Sequence, residues 1–230
     1  MNLTFVKAFY FAIQARFGSL ISSEPEFHEV SRLVSSGDTV IDVGSNIGRY
    51  SLRLSSLVGN EGIVFSVDPS TSMGWIQSII MCFNGRENVR FINYGLSSTS
   101  GMGKFLVDKR KPKGAIFSTF TGSRCSSSLK DGVSVYISTL DILFKDLPQV
   151  SLIKIDAEGE ESLILQGGAR LISEHKPIII IENNGSDEID RLISLWGYSK
   201  VILSQSSRNI IWMPPDSNKK VILESNESVC

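Results

Sequence analysis

The sequence predicts an α/β fold with a mostly parallel sheet and helices on both of its faces. From Thr39 onward, a short apolar run, a turn and a stretch with helical spacing follow one another repeatedly. Strands that alternate with helices imply right-handed βαβ units and therefore a parallel sheet. The run 177–182 contains four consecutive isoleucines. Such a continuous apolar strand is typical of a sheet that is covered on both faces.

The first strand–helix unit carries the clearest signals. Residues 39–43 are largely apolar and β-branched, which predicts a strand. Residues 49–58 have apolar side chains at helical spacing, and Gly59 follows as the expected end of that helix. The same signals predict further strands at 62–68, 89–94, 151–156 and 177–182, and further helices at 73–83, 160–172 and 187–196.

The chain is predicted to close its sheet with a C-terminal antiparallel hairpin. The runs 200–203 and 209–213 are short and apolar, and about five residues separate them. The segment from about 97 to 138 interrupts the earlier rhythm, since it is rich in Gly, Ser and Lys. We interpret it as an inserted hairpin with arms at 104–107 and 133–137, whose connecting loop gates a binding site.

Three regions follow from these boundaries: an N-terminal helical segment (1–36), a main domain (37–215) and a polar tail (216–230). Within residues 1–20, Phe5, Phe9 and Ile13 fall at helical spacing. This predicts an amphipathic helix that packs on the domain, with a weak contact to a membrane surface or to a partner as the alternative. No run approaches the ~18 apolar residues that a membrane span needs.

The amino-acid composition argues against several classes of function. The 230 residues are the size of one domain, and a net charge of −1 argues against a nucleic-acid partner. Three dispersed cysteines and two histidines argue against a disulfide framework and against a histidine-rich metal site. We therefore expect a cytoplasmic protein that acts on a small molecule, with its oligomeric state left open.

The loop between the first strand and the first helix indicates a nucleoside cofactor. Gly44 and Gly48 let a ligand approach the backbone at a helix N-terminus. Asn46 and Arg49 stand where a dinucleotide fingerprint requires glycine, so a pyrophosphate is disfavoured. Asp42 is placed to receive an ammonium group, directly or through water. Asp68, twenty positions after Gly48, is placed to accept both hydroxyls of a ribose. Together these groups describe S-adenosylmethionine better than a dinucleotide.

At this point the sequence resembles the FkbM-type methyltransferases, which are S-adenosylmethionine-dependent enzymes of the class I, Rossmann-like fold. The resemblance covers roughly residues 24 to 183. It is carried by Glu24-Pro-Glu26, the run 37–48, Val67-Asp-Pro69, Gly95-Leu-Ser97, Ser138-Thr-Leu-Asp141, the run 152–160, Leu165-Gln-Gly-Gly-Ala169 and the run 177–182. Gly95 stands where the family usually has Ala, and Asp68 where Glu is common. The loop 109–130 has no match, so it does not identify the methyl acceptor.

The resemblance implies roles for individual residues. Gly44, Asn46 and Gly48 would line the methionine part of the cofactor, and Asp68 would hold the ribose. The strand end that contains Asn93 and Gly95 would lie near the adenine. The resemblance also implies methyl transfer to oxygen, most often to a hydroxyl of a sugar, a glycolipid or a natural product.

Three acids at the predicted strand ends are candidates for the chemistry. Asp156 and Glu182 end neighbouring strands, and Glu158 lies in the turn that follows the first of them. Carboxylates in this position suit a general base for a hydroxyl acceptor, or oxygen ligation of Mg²⁺ or Ca²⁺. We predict the base and assign no metal ligand. Lys154 is expected to pair with a nearby acid, and Glu161 to favour a helix N-terminus.

The predicted function is therefore S-adenosylmethionine-dependent O-methylation of a small-molecule hydroxyl. A cofactor-binding module without catalysis is the first alternative. A methyltransferase that acts on a protein or another acceptor is the second. An oxidoreductase or epimerase of the Rossmann type is disfavoured by the broken dinucleotide fingerprint.

Overall fold

The structure is a computed structural model that describes residues 3–107, 115–118, 133–182, 187–204, 207–215, 217 and 219. Its strands are β1 (Thr39–Val43), β2 (Ile63–Val67), β3 (Val89–Ile92), β4 (Gly95–Leu96), β5 (Gly101–Val107), β6 (Ala115–Ser118), β7 (Val133–Ser138), β8 (Leu152–Ile155), β9 (Ile178–Glu182), β10 (Ser199–Val201) and β11 (Asn209–Met213). Its helices are α1 (Leu3–Arg16), α2 (Pro25–Leu33), α3 (Arg49–Val58), α4 (Thr71–Phe83), α5 (Leu140–Leu143), α6 (Glu161–Gln166), α7 (Ala169–His175) and α8 (Asp187–Leu195).

The central sheet confirms the predicted architecture. Seven strands lie in the order β10-β11-β9-β8-β1-β2-β3. The five from β3 to β9 in this order are parallel, whereas β11 is antiparallel to both β9 and β10. The C-terminal hairpin therefore closes one edge, as the sequence predicts. The topological switch lies between β1 and β8, where the chain order reverses, and ligands of open α/β sheets bind at such a point.

The sheet is covered on both faces, and β9 shows why its sequence is continuously apolar. Ile179 and Ile181 pack into one core cluster together with Ile41 of β1. Ile178 and Ile180 pack into the opposite cluster, against α2 and α3. Because successive side chains of a strand point to opposite faces, each face needs its own apolar set.

The inserted segment forms a second sheet with strand order β4-β7-β5-β6. The two predicted arms do pair in antiparallel fashion, with Lys104 opposite Ser134. The simple hairpin is nevertheless wrong, because β6 adds to the other side of β5 and β4 runs parallel to β7. Most of the predicted gating loop, residues 109–130, lies outside the described residues, as does most of the tail 216–230.

The predicted helix 160–172 is also wrong as a single helix, since the structure has α6 and α7 with a break at Gly167 and Gly168. A Cβ atom at Gly167 would lie 2.2 Å from the carbonyl oxygen of Ser97. A residue without a side chain is therefore needed where the end of α6 packs against the start of the insert. The apolar spacing on both sides of the break continues in one helical register, which is why the sequence pattern does not reveal it.

The N-terminal segment contributes two helices to the layer structure. Pro25 begins α2, where the missing N–H of proline carries no penalty. Ala8 and Ala12 of α1 are fully buried in a cluster that also contains Ile76 and Ile80 of α4. Among the described residues, no helix has the length and apolar character that crossing a membrane requires.

Candidate functional site

The glycine loop lies between β1 and α3, at the carboxyl edge of the sheet. Gly44 has a φ of +72°, and a Cβ atom there would lie only 1.7 Å from the carbonyl oxygen of Asp156. Gly48 has a φ of +83° and stands at the N-cap of α3. Asn46 also adopts a positive φ, of 50°. The loop thus packs directly against the end of β8, in a shape that excludes a side chain at position 44.

A buried polar network that the sequence analysis missed holds this loop in shape. The side-chain amide of Gln77, on α4, donates to Ser45 Oγ at 2.8 Å and to the carbonyl oxygen of Asn46 at 2.7 Å. Its own carbonyl oxygen, Oε1, accepts from Ser66 Oγ at 2.7 Å. Gln77 is 1% exposed, so α4 is tied to the loop through these contacts. The available signal in the sequence is a glutamine between the apolar residues Trp75, Ile76, Ile79 and Ile80 of α4.

The network ends at Asp42, which is fully buried. Ser51 Oγ lies 2.6 Å from Asp42 Oδ2 and 2.9 Å from Ser66 Oγ. The chain from Asp42 through Ser51 and Ser66 to Gln77 Oε1 thus contains three hydrogen bonds but only two hydroxyl protons. Because the Ser51 hydroxyl has one proton, it can donate to Asp42 or to Ser66 but not to both at once. Burial raises the pKa of Asp42, whereas the charge of Lys154 and the hydrogen bonds from Ser51 act in the opposite direction.

The second oxygen of Asp42 bears on cofactor binding. Oδ1 is buried and has no hydrogen-bond partner in the part of the chain that the structure describes. Such an unsatisfied acceptor is costly unless a donor reaches it. An ammonium group, or a water that bridges to one, is a donor of the required kind, so this residue fits the role predicted for it.

Asp68 follows β2 and connects the loop to the next strand end. Its Oδ2 accepts from the backbone N–H of Asn46 at 2.9 Å, and its Oδ1 from that of Ser70 at 2.8 Å. Burial raises the pKa of this carboxyl to about 6. Asn93 Nδ2 donates to the backbone carbonyl of Asp68 at 2.9 Å. Gly95 begins β4 two residues later and is buried. The structure therefore brings the predicted ribose and adenine residues to one edge.

Lys154 is the predicted partner of an acid, and the acid is Asp156. Lys154 Nζ lies 3.0 Å from Asp156 Oδ2, and the lysine is 2% exposed. Its ammonium group also lies 4.6 Å from the centroid of the Tyr50 ring, whose hydroxyl donates to Glu24 Oε2 at 2.7 Å. Burial lowers the pKa of Lys154, but Asp156 and Asp42 together raise it above its usual value. The lysine thus remains charged and neutralises Asp156.

Glu182 ends β9 beside Asp156, because Ile155 and Ile181 are register partners. Burial raises the pKa of Glu182 to about 7, and the carboxylates of Asp156, Glu158 and Glu161 add to the increase. A hydrogen bond to Asp156 contributes in the same direction. A carboxyl group that titrates near neutrality is suited to taking a proton from a substrate.

The remaining acids divide into two kinds. Glu158 is largely exposed and has a positive φ of 52°. The partial burial of its carboxyl group and the charge of Asp156 both raise its pKa. Glu161 is buried, and its side chain accepts from the backbone N–H groups of Ala157 and Gly159, so its expected structural role is confirmed. Among the described residues, no three or more His, Cys, Asp or Glu side chains are grouped to hold a metal ion.

The sheet order, the switch point and the glycine loop are those of the class I methyltransferase fold. A crystal structure of the methyltransferase FkbM from Methylobacillus flagellatus KT is similar over 92% of this chain, with a TM-score of 0.54 and 18% identity. This chain spans 55% of that protein's length. A SAM-dependent methyltransferase from Aquifex aeolicus matches over 84% of this chain and 88% of its own, with a TM-score of 0.46 and 16% identity. No curated protein matches the chain.

The model of the methyltransferase FkbM domain matches residues 42–200, which is more than half of the chain. The chain therefore belongs to the FkbM methyltransferase family. This confirms the predicted family and the predicted fold. The matched region contains every residue predicted for the site.

Proposed function

We propose that this chain transfers a methyl group from S-adenosylmethionine to a hydroxyl of a small molecule such as a sugar, a glycolipid or a natural product. The observation that carries the proposal is the contact between Gly44 and the carbonyl of Asp156. It places the glycine loop, where the cofactor would bind, directly beside the carboxyl pair of Asp156 and Glu182.

The cofactor residues fit the proposal as a set. Gly44, Asn46 and Gly48 would hold the methionine part, and the unpartnered Oδ1 of Asp42 would receive its ammonium group. Asp68 would accept the ribose hydroxyls. Its two oxygens each take one backbone hydrogen bond and so keep lone pairs for a ligand. Asn93 and Gly95 would line the adenine.

When bound, the cofactor supplies a methyl group that is activated by its attachment to a positively charged sulfur. The chain must then hold the acceptor oxygen in line with that carbon and remove the hydroxyl proton. Glu182 would receive the proton, since its pKa of about 7 leaves much of it ionised at neutral pH. Asp156, neutralised by Lys154, would orient Glu182. Glu158, which is exposed, would contact the acceptor at the rim.

A turnover assay with a labelled methyl donor and a panel of hydroxyl compounds tests the proposal. Glu182→Gln should abolish transfer while cofactor affinity stays within about twofold, because the variant keeps the shape of the side chain but has no proton acceptor. Glu174→Gln, at an exposed glutamate of α7, is the matched control and should change neither property. Cofactor binding without transfer to any acceptor would instead favour the non-catalytic module.

A further inference from the structure

The outer surface of α1 carries a continuous apolar stripe. Val6, Phe9, Tyr10 and Ile13 lie at helical spacing, Phe17 follows in the turn directly after the helix, and their exposed fractions range from 37 to 82%. Residues at this spacing lie on one face of a helix. The opposite face, which contains Ala8 and Ala12, is the one buried against α4.

Side chains of α4 extend the stripe into a broader surface. Trp75 and Phe83 are 48% and 46% exposed, and their rings contact Phe5 and Phe9 with centroid distances of 6.0 and 5.7 Å. We call the exposed side chains of Phe5, Val6, Phe9, Tyr10, Ile13, Phe17, Trp75 and Phe83 the aromatic face. Isolated exposed apolar residues are ordinary, whereas a contiguous group of this kind marks an interaction surface.

The charged side chains on α1 and α4 are all positively charged. Lys7 and Arg16 are the only charged residues among the 27 residues of α1 and α4, which contain no carboxylate. Lys7 and Arg16 lie on the exposed part of α1, at the borders of the stripe. The surface therefore combines aromatic rings with flanking cations.

We propose that the aromatic face docks the chain on the surface of an anionic lipid bilayer. Aromatic side chains are favoured at the interface between lipid headgroups and acyl chains, and basic residues beside them are attracted to anionic headgroups. Binding of this kind needs no span across the bilayer. It agrees with the finding that no described helix is suited to cross a membrane.

The same charges disfavour a second copy of this chain as the occupant. In a two-fold symmetric contact the same patch meets itself. Lys7 and Arg16 of each copy would then approach an apolar surface that offers no carboxylate to neutralise them. An anionic bilayer supplies the missing negative charge.

Co-sedimentation of the purified full chain with lipid vesicles tests this proposal, and it needs neither cofactor nor acceptor. The chain should sediment with vesicles of equal parts phosphatidylserine and phosphatidylcholine, and much less with pure phosphatidylcholine vesicles. Lys7→Gln and Arg16→Gln should each weaken binding to the anionic vesicles by about fivefold. Added salt should weaken binding further, because it screens the attraction.

Two matched variants separate docking from a general loss of structure. The double substitution Tyr10→Ser and Phe17→Ser should abolish binding to the anionic vesicles. Leu195→Ser, which alters a leucine of α8 that is 82% exposed like Phe17, should leave binding unchanged. Thermal unfolding of all variants checks that they fold.

Three outcomes would overturn the proposal. The first is that the wild-type chain binds neither kind of vesicle. The second is that the Tyr10 and Phe17 double variant binds as the wild type does. The third is a dimer, seen by light scattering, that the same double variant dissolves while vesicles bind nothing, since the aromatic face would then join two copies of the chain.

Discussion

Lys154 Nζ lies 3.0 Å from Asp156 Oδ2, and this ion pair of a buried lysine and a partly exposed aspartate lies between the glycine loop and the end of β9. Asp156 thereby stays negatively charged beside Glu182, which makes ionisation of Glu182 harder and contributes to its pKa of about 7. Lys154 thus affects the candidate base, Glu182, indirectly, through its ion pair with Asp156.

Removal of the lysine should destabilise the fold. In Lys154→Met, the carboxylates of Asp156 and Asp42 lose their positive partner in a largely buried environment. Breaking one side of a buried pair typically costs about 3 kcal/mol. Denaturant unfolding measures this cost. The control Lys145→Met, at an exposed lysine 3.9 Å from Asp146, should change the free energy of unfolding by less than about 1 kcal/mol. Equal, small effects in both variants would contradict a structural role for the Lys154 pair.

The pH dependence of methyl transfer should follow the ionisation of Glu182. A general base works only when it is deprotonated, and the pKa of this carboxyl is about 7. We therefore expect kcat/KM to rise with pH through about 7 and to level off above it. A profile measured with a fixed acceptor tests this. Activity that falls as the pH rises through 7 would contradict Glu182 as the base.

Cofactor binding should release a proton from Asp42. Burial raises the pKa of Asp42 in the free chain, whereas an ammonium group at Oδ1 favours the carboxylate. Calorimetric titrations in buffers with different ionisation enthalpies measure the release, because the apparent binding enthalpy then varies with the ionisation enthalpy of the buffer. Binding enthalpies that are the same in every buffer would show that Asp42 does not change its protonation.

A methyl group at position 44 should destroy the loop. The Cβ atom of Gly44→Ala would lie 1.7 Å from the carbonyl oxygen of Asp156, and the φ of +72° is unfavourable for alanine as well. We expect loss of cofactor binding together with a lower unfolding temperature. Gly101→Ala is the control, because a Cβ atom there has no neighbour within 4 Å. Unchanged binding in Gly44→Ala would contradict the observed contact with Asp156.

Features that depend on residues close together in the sequence could be predicted, whereas features that depend on contacts between distant residues could not. The bounds of α3 and β1 follow from local signals, and both are predicted residue for residue. The break between α6 and α7 lies where Gly167 packs against the distant Ser97, a contact that local spacing does not reveal. Gln77 is similar, since its partners lie 31 and 32 positions away along the chain.

The same limit applies to the candidate site. Positions at the ends of parallel strands could be predicted to converge, and the structure places Asp156 and Glu182 side by side. The hydrogen-bond network around Asp42 could not be predicted, because it joins side chains from the four elements β1, α3, β2 and α4. The pairing of β4 with β7 is another relationship that only the three-dimensional arrangement shows.

The most direct test of the account is a calorimetric titration of the purified chain with S-adenosylmethionine, with NAD as the comparison ligand and Asp68→Ala as the comparison variant. We predict micromolar binding of S-adenosylmethionine, no binding of NAD, and a loss of at least about tenfold in affinity in Asp68→Ala, since the ribose hydroxyls lose a charged acceptor. Absence of S-adenosylmethionine binding to the wild-type chain, or equal affinity in the variant, would contradict the assignment of the cofactor site to the glycine loop and Asp68.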